Sequence, residues 1–306
     1  MSRSGICFIG EPILDHYIPL QFWPGIGDKA TFTSYSSTPG GAVANATIAC
    51  RALGGECTLV GRLSDGGAGR ELQQDLAAHG VGVDTLRLEP GPVDPVCFVF
   101  LVGQSNVVVY PDRSAEQYEL DADMLAAIGR AAVVVSTTEK LERMSNADEL
   151  LRVLRESSAD GARLVLDLDN GHEVRGDQRF LGIAACVIMN EFGAGRLLGP
   201  DPAGYRARAT ELGIQQDAVL IVTLAADGLW VGHDTEAYVP GIPVEAIDPT
   251  GAGDAFVGAL AFALERGMAP QEAAALANRL GAYATTVSGP RVTAPLPDWV
   301  TAREPI

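Results

Sequence analysis

Apolar residues along this chain follow two different periods. Short runs rich in Val, Ile, Leu and Cys, at Ile6–Gly10, Cys57–Gly61, Ala132–Ser136, Arg163–Asp167, Cys186–Asn190 and Val219–Thr223, read as strands buried on both faces. Stretches with helical spacing follow at Ala42–Leu53, Gly69–His79, Asn146–Ser157, Gly251–Arg266 and Pro270–Val287. Strand and helix alternate from end to end, which predicts an α/β fold with a doubly wound, mainly parallel sheet.

Two regions interrupt the alternation. Ile13–Thr38 carries Pro, Gly, Trp23 and the alternating stretch Ala30–Ser36, and Val96–Tyr110 reads as two strands around Gly103-Gln104-Ser105-Asn106. They predict a small β layer of residues 13–38 and 94–113, set apart from a main domain of residues 1–12, 39–93 and 114–306. In an α/β protein such a layer is placed best as a lid over the carboxyl ends of the strands, where ligands bind. Edge hairpins of the main sheet are the other arrangement that the pattern allows.

Composition narrows the partners. The 306 residues carry a formal charge of −17, which argues against nucleic acid or an anionic membrane, since both require a positive footprint. No apolar run has the length of a membrane span, and Ile6-Cys7-Phe8-Ile9 is too short for a signal peptide, so a cytoplasmic location is expected. Cys7, Cys50, Cys57, Cys97 and Cys186 are scattered without a C-x-x-C pair and read as small buried hydrophobes; the histidines are equally dispersed, so no zinc site is expected. Lys29 and Lys140 are the only lysines and neither follows a glycine, which excludes the P-loop pattern.

The segment Asp248-Pro249-Thr250-Gly251-Ala252-Gly253-Asp254 leads into an apolar helical run. Glycines there let successive N–H groups converge on one anion at a helix start, with the helix dipole favouring negative charge. Asp254, in the first turn, is positioned to accept a proton from an attacking hydroxyl during phosphoryl transfer; an N-cap role accounts for it equally well. A dinucleotide fingerprint fails, because the spacing is G-x-G followed by Gly258 and the first strand ends in Gly10-Glu11-Pro12. Pro39-Gly40-Gly41-Ala42-Val43-Ala44-Asn45 also opens a helix, and it lacks any cation. That suits a neutral polyol, with Asn45 offering both donor and acceptor, or an ordinary turn.

Together with Gly10…Asp15, these segments resemble the ribokinase (PfkB) family of sugar and nucleoside kinases across essentially the whole chain. The resemblance implies an α/β domain with a β lid, and ATP-dependent phosphorylation of a hydroxyl of a small neutral sugar with Mg²⁺. It makes Asp254 the base and places the anion hole at Gly251, Ala252, Gly253 and Asp254. Asp15, Gly40, Gly41, Asn45 and Glu139 would hold sugar hydroxyls, Glu139 reading also as a solvated helix-start carboxylate. Asn190, Thr223, Gly228 and Asn278 fall on the nucleotide side, although Asn278 is also simply a polar residue on a helix. The backbone at Asp248 and Thr250 matches a monovalent cation site, for K⁺. A homodimer through the lid is expected from its apolar strands. A nucleoside acceptor, stacked on Phe22, Trp23, Phe98 or Phe100, is the alternative within the enzyme class, and a non-catalytic binding member is the alternative outside it.

Three departures stand out. The N-x-x-E pattern of the family is Asn190-Glu191-Phe192-Gly193 here, T-x-G is Thr223-Leu224-Ala225, and D-x-N-x-R is Asp167-Leu168-Asp169-Asn170-Gly171. Asp167 and Asp169, two apart at a strand end, are candidates to replace the missing metal-side carboxylate; cap or surface roles are the plainer alternative.

Overall fold

The computed structural model describes residues 3–91, 94–103, 105–109, 111, 117–169, 171 and 178–302. Asn170 and parts of the 94–113 interruption lie outside the described residues. In chain order the strands are β1 (Ile6–Ile9), β2 (Ile13–Leu20), β3 (Ser36–Gly40), β4 (Cys57–Ser64), β5 (Leu86–Glu89), β6 (Val96–Val102) and β7 (Ser105–Val109). They continue as β8 (Val133–Ser136), β9 (Arg163–Asp167), β10 (Cys186–Asn190), β11 (Val219–Thr223), β12 (Gly228–Gly232) and β13 (Glu236–Pro240).

Nine of these form one sheet in the order β13-β12-β11-β10-β9-β8-β1-β4-β5. The pairs from β11 to β5 are parallel, which is what alternating strands and crossover helices produce. β12 and β13 extend the sheet as an antiparallel hairpin that the alternation did not reveal. Side chains alternate in their destinations. Ile6 and Phe8 of β1 join one apolar layer with residues of the helices Ala42–Ala52 and Ala252–Glu265, while Cys7 and Ile9 join the opposite layer with residues of Ala122–Arg130 and Ala147–Ala159. β10 and β11 split in the same way, Ile188 and Ile221 to one side, Val187 and Leu220 to the other. All five cysteines are buried free thiols.

The second sheet has the order β3-β2-β6-β7. β2 pairs antiparallel with β3 and parallel with β6, and β6 turns back antiparallel on β7. The alternating stretch Ala30–Ser36 meets this sheet only at its last residue. β3 begins at Ser36, and residues 31–37 are exposed with too little apolar contact to hold a longer strand. The helix expected over Pro270–Val287 stops at Ala284, where the Thr285 and Thr286 hydroxyls turn back on the Ala282 and Tyr283 carbonyls at 2.8 Å each.

One helix pair governs the geometry of the site. Helices Ala42–Ala52 and Ala252–Glu265 approach so closely that a Cβ on Gly258 would lie 2.2 Å from the Ala46 carbonyl oxygen and 3.0 Å from the Cys50 nitrogen. Only a residue without a side chain fits. Gly258→Ala is expected to lower stability by about 1–3 kcal/mol through overpacking, seen as a lower urea midpoint at unchanged m-value.

Candidate active site

A cleft of about 1210 Å³ lies at the carboxyl ends of the parallel strands. Its walls come from the segments just past each strand: Glu11 after β1, Thr137–Arg143 after β8, Asp169 after β9, Glu191 after β10 and Ala225 after β11. The small sheet closes one side with Ile13, Asp15, Val96 and Cys97, and the start of helix Ala252–Glu265 adds Gly253 and Asp254.

That helix start has the shape of an anion cradle. Gly251 is its N-cap at φ 77°, and a Cβ there would fall 2.1 Å from the Pro290 carbonyl oxygen, so the left-handed turn and the close approach both demand glycine. Gly253 is exposed, with open space where a Cβ would stand. The N–H groups of Gly253 and Asp254 belong to the first turn, which has no intrahelical acceptor, and point toward the N-terminal end. Ala252 differs from its expected role: its N–H reaches the Pro249 carbonyl at 3.3 Å.

Asp254 is half-buried between the cleft and the helix pair. Burial pushes its carboxyl up to about 6; a hydrogen bond from Asn45 opposes the shift and the charge of Asp169 adds to it. The Asn45 Nδ2 donates to Asp254 Oδ2 at 2.9 Å, and Asn45 is itself buried. Its Oδ1 accepts from Arg291 Nε at 3.1 Å, and Arg291 Nη1 bonds Asp75. Asn45 therefore reaches the cleft through the carboxylate instead of lining it.

On one side of Asp254 lie residues suited to hydroxyl groups. The Asp15 carboxyl is raised chiefly by burial, with the Cys97 thiol and Arg291 pulling it down, and Gly40 leaves it room, since a Cβ there would lie 2.3 Å from Asp15 Oδ2. Gly41, at φ 93°, is the N-cap of helix Ala42–Ala52 and lines the cleft. Glu139 sits in an ion-pair cluster, 3.1 Å from Lys140 Nζ and 3.3 Å from Arg143 Nη1; Glu11 lies 4.0 Å and 3.9 Å from the same two atoms.

The other side gathers Asn190 and Thr223, which are register partners on β10 and β11. Asn190 Oδ1 caps the Gly193 N–H at 2.9 Å, and its Nδ2 donates to Asp169 Oδ1 at 2.8 Å. Asp167 Oδ1 accepts the Asp169 N–H at 2.9 Å. Where the family pattern has Glu, Gly193 stands against Gly171, whose ideal Cβ lies 3.4 Å from the Gly193 Cα. Ala225, where glycine is usual, adopts φ 49° and accepts the strain of a left-handed alanine. Gly228 lies away from the cleft wall: at φ 107° it packs against β13, where a Cβ would be 2.1 Å from the Val239 oxygen. Asn278 is buried and donates to the Pro240 carbonyl at 2.8 Å, so its amide holds the β13 end. A hydrogen bond from the Thr250 side chain, with the Thr250 and Gly289 N–H groups at 2.9 Å each, keeps the Asp248 carboxyl below the usual range.

Arg291 and Asp75 carry no signal in the sequence. They lie in a Gly-Pro-Arg turn and on the helix Gly67–Ala78, segments without a motif. Of the aromatic candidates for stacking, Trp23, Phe98 and Phe100 fall on the wrong face. Asp15 and Cys97 look into the cleft, so their strand neighbours His16 and Phe98, stacked at 5.3 Å, lie on the opposite side, as does Phe100 with Trp23 against it at 5.5 Å.

The pfkB family carbohydrate kinase pattern matches residues 4–297. The chain is 30% identical over 282 residues to the aminoimidazole riboside kinase of Salmonella typhimurium, covering 87% of each protein. It is 27% identical over 279 residues to the ribokinase of Bacillus subtilis, covering 90% of each. Its fold is similar to that of Arabidopsis thaliana ribokinase complexed with ribose and ATP, with a TM-score of 0.80, 21% identity and 94% of each chain covered. The chain belongs to the pfkB family of carbohydrate kinases. It is a kinase of the sugar and nucleoside class.

The raised Asp254 carboxyl carries a stability consequence. With a folded pKa of about 6 against an ordinary 3.8, the native state binds this proton more tightly, so stability declines as pH rises between those values. Asp254→Asn is expected to stabilise the protein at pH 7 by on the order of 2 kcal/mol, with the difference from the parent closing toward pH 4 in urea titrations.

Proposed function

We propose that the protein transfers the terminal phosphoryl group of ATP to a hydroxyl of a small neutral sugar, with Asp254 as the base. One observation carries this reading: a carboxylate held near pKa 6 stands in the first turn of a glycine-lined helix start that opens on the cleft. A base with that pKa is ionised at neutral pH and still basic enough to take a hydroxyl proton as the new P–O bond forms. The N–H groups of Gly251, Gly253 and Asp254 stabilise the charge on the transferring group, the helix dipole taking the place of a lysine.

The acceptor lies between Asp254 and the small sheet, with Asp15, Gly40, Gly41 and Glu139 toward its hydroxyls. Support for a neutral acceptor is electrostatic. Around that end Glu11, Asp15, Glu139 and Glu142 face Lys140 and Arg143, and both cations are already engaged by Glu11 and Glu139. An anionic sugar would meet net repulsion there. Asn45 serves this acceptor by holding Asp254.

The nucleotide occupies the side of Asn190 and Thr223, with Gly228 and Asn278 set back from the wall and holding β13 in place. Asp167 and Asp169 suit Mg²⁺, which takes one or two carboxylates beside substrate phosphates; when bound, the metal neutralises phosphate charge. Asp169 is held by Asn190, three residues before Gly193. The loop of Asp248 and Thr250, pinned by the Asp248 carboxylate, would hold K⁺ through backbone oxygens. The small sheet acts as a lid that excludes water. Its far face, with Trp23, Phe98 and Val109 exposed, serves a second copy. The protein works in the cytoplasm.

A panel of neutral pentoses and hexoses, sugar acids and nucleosides, scored by ADP release, tests the reading. Neutral sugars are expected to give the highest kcat/KM. Thermal stabilisation by ATP without ADP release on any acceptor would instead identify a binding protein. Asp254→Asn is expected to lower kcat by roughly 10²–10⁴-fold while the ATP Kd by calorimetry stays within about threefold. For the parent enzyme kcat/KM should bend near pH 6 and fall about tenfold per unit below it, because the proton that blocks the base titrates there.

A further inference from the structure

We infer that Arg291 is a positioning residue for phosphoryl transfer: anchored on Asp75, its guanidinium fixes the amide of Asn45 so that the amide N–H faces Asp254. The inference rests on the reading of Asp254 as the base.

Asn45 stands between two partners that permit one orientation. A guanidinium only donates and an ionised carboxylate only accepts. Arg291 Nε at 3.1 Å therefore requires Asn45 Oδ1, and Asp254 Oδ2 at 2.9 Å requires Asn45 Nδ2. With Oδ2 occupied, Oδ1 is the Asp254 oxygen left to take the acceptor proton. Arg291 cannot swing away from this duty. Asp75 binds its Nη1, and the turn that carries it is pinned by the Gly289 N–H on Asp248 at 2.9 Å and by Pro290 against Gly251. The guanidinium is almost fully enclosed, with 12% of the side chain exposed. The charged groups around the relay are few: Asp169 acts on Asp254, Asp15 feels Arg291, and His79 lies 3.7 Å from Asp75.

Without Arg291 the Asn45 amide is held in this orientation by the Asp254 carboxylate alone, and rotation would turn a carbonyl oxygen toward that carboxylate. The base then loses a charge-assisted hydrogen bond and gains a repulsive neighbour.

The test is a carboxyl-carbon NMR titration of Asp254, assigned by its loss in Asp254→Asn, in the apo protein and in Arg291→Met. The Arg291→Met midpoint is expected to rise by about one to two units. The acid limb of kcat/KM should move by the same amount, with the KM for ATP within about twofold of the parent. A folded Arg291→Met protein whose Asp254 midpoint stays within about 0.2 units of the parent overturns the inference, even where activity falls, since that pattern marks a purely structural residue. If Arg291→Met does not fold, Arg291→Gln, which keeps a polar end near Asp75, is titrated with the same expected rise and the same overturning result. Because the midpoint needs no turnover, the inference can fail while the kinase reading stands. Conversely, an Asp254→Asn protein with parental activity removes the base and leaves the titration to report the relay alone.

Discussion

The bond between Asn45 and Asp254 joins residues 209 positions apart, and it exists because two helices touch backbone to backbone. Gly258 is the point of contact, with no room for a side chain between it and the Ala46 carbonyl. That contact sets how far the glycine-lined helix start stands from the Gly41 turn, and so how the two ends of the cleft face one another. The apolar layer around it, built from Ala44, Ala255, Ala259 and Phe256, keeps the distance fixed without itself entering the chemistry.

The electrostatics of the cleft arise from the same construction. In a chain of charge −17 with Lys140 as its only lysine in the cleft, the oriented N–H groups at the helix start are the feature suited to anionic phosphate. The Asp254 carboxylate beside them is held at a cost, because burial makes its charge expensive at neutral pH; a more solvated carboxylate would be a weaker base in the role proposed for it.

The parallel sheet was legible because strands buried on both faces are continuous apolar runs, and five of the six named runs begin at the residue where the strand does. The β12–β13 hairpin was not, since Gly228 and Gly232 flank a run too short to announce a pair, and its partner alternates only weakly. Of the site, the glycine turns and Asp254 were visible because left-handed backbone and close approach select glycine whatever the surroundings. The roles of Asn45, Asn278 and Gly228 were less visible. Their side-chain or backbone partners, Asp254, Pro240 and Val239, are set by tertiary packing, and the residue types alone permit ligand contact and wall-building equally. Arg291 was silent for the same reason: a lone arginine in a turn has no period and no motif.

The five enclosed thiols give the molecule a set of built-in reporters. A buried thiol reacts with an electrophile only during an opening that exposes it, so labelling rates read out the frequency of such openings. Cys186, in the middle of the large sheet, records disruption of the whole domain. Cys97 stands on the small sheet beside Asp15 and borders the cleft, so its alkylation follows movement of that sheet alone and slows when the cleft is filled. The chain thus carries separate clocks for local breathing and for global unfolding without any engineered label.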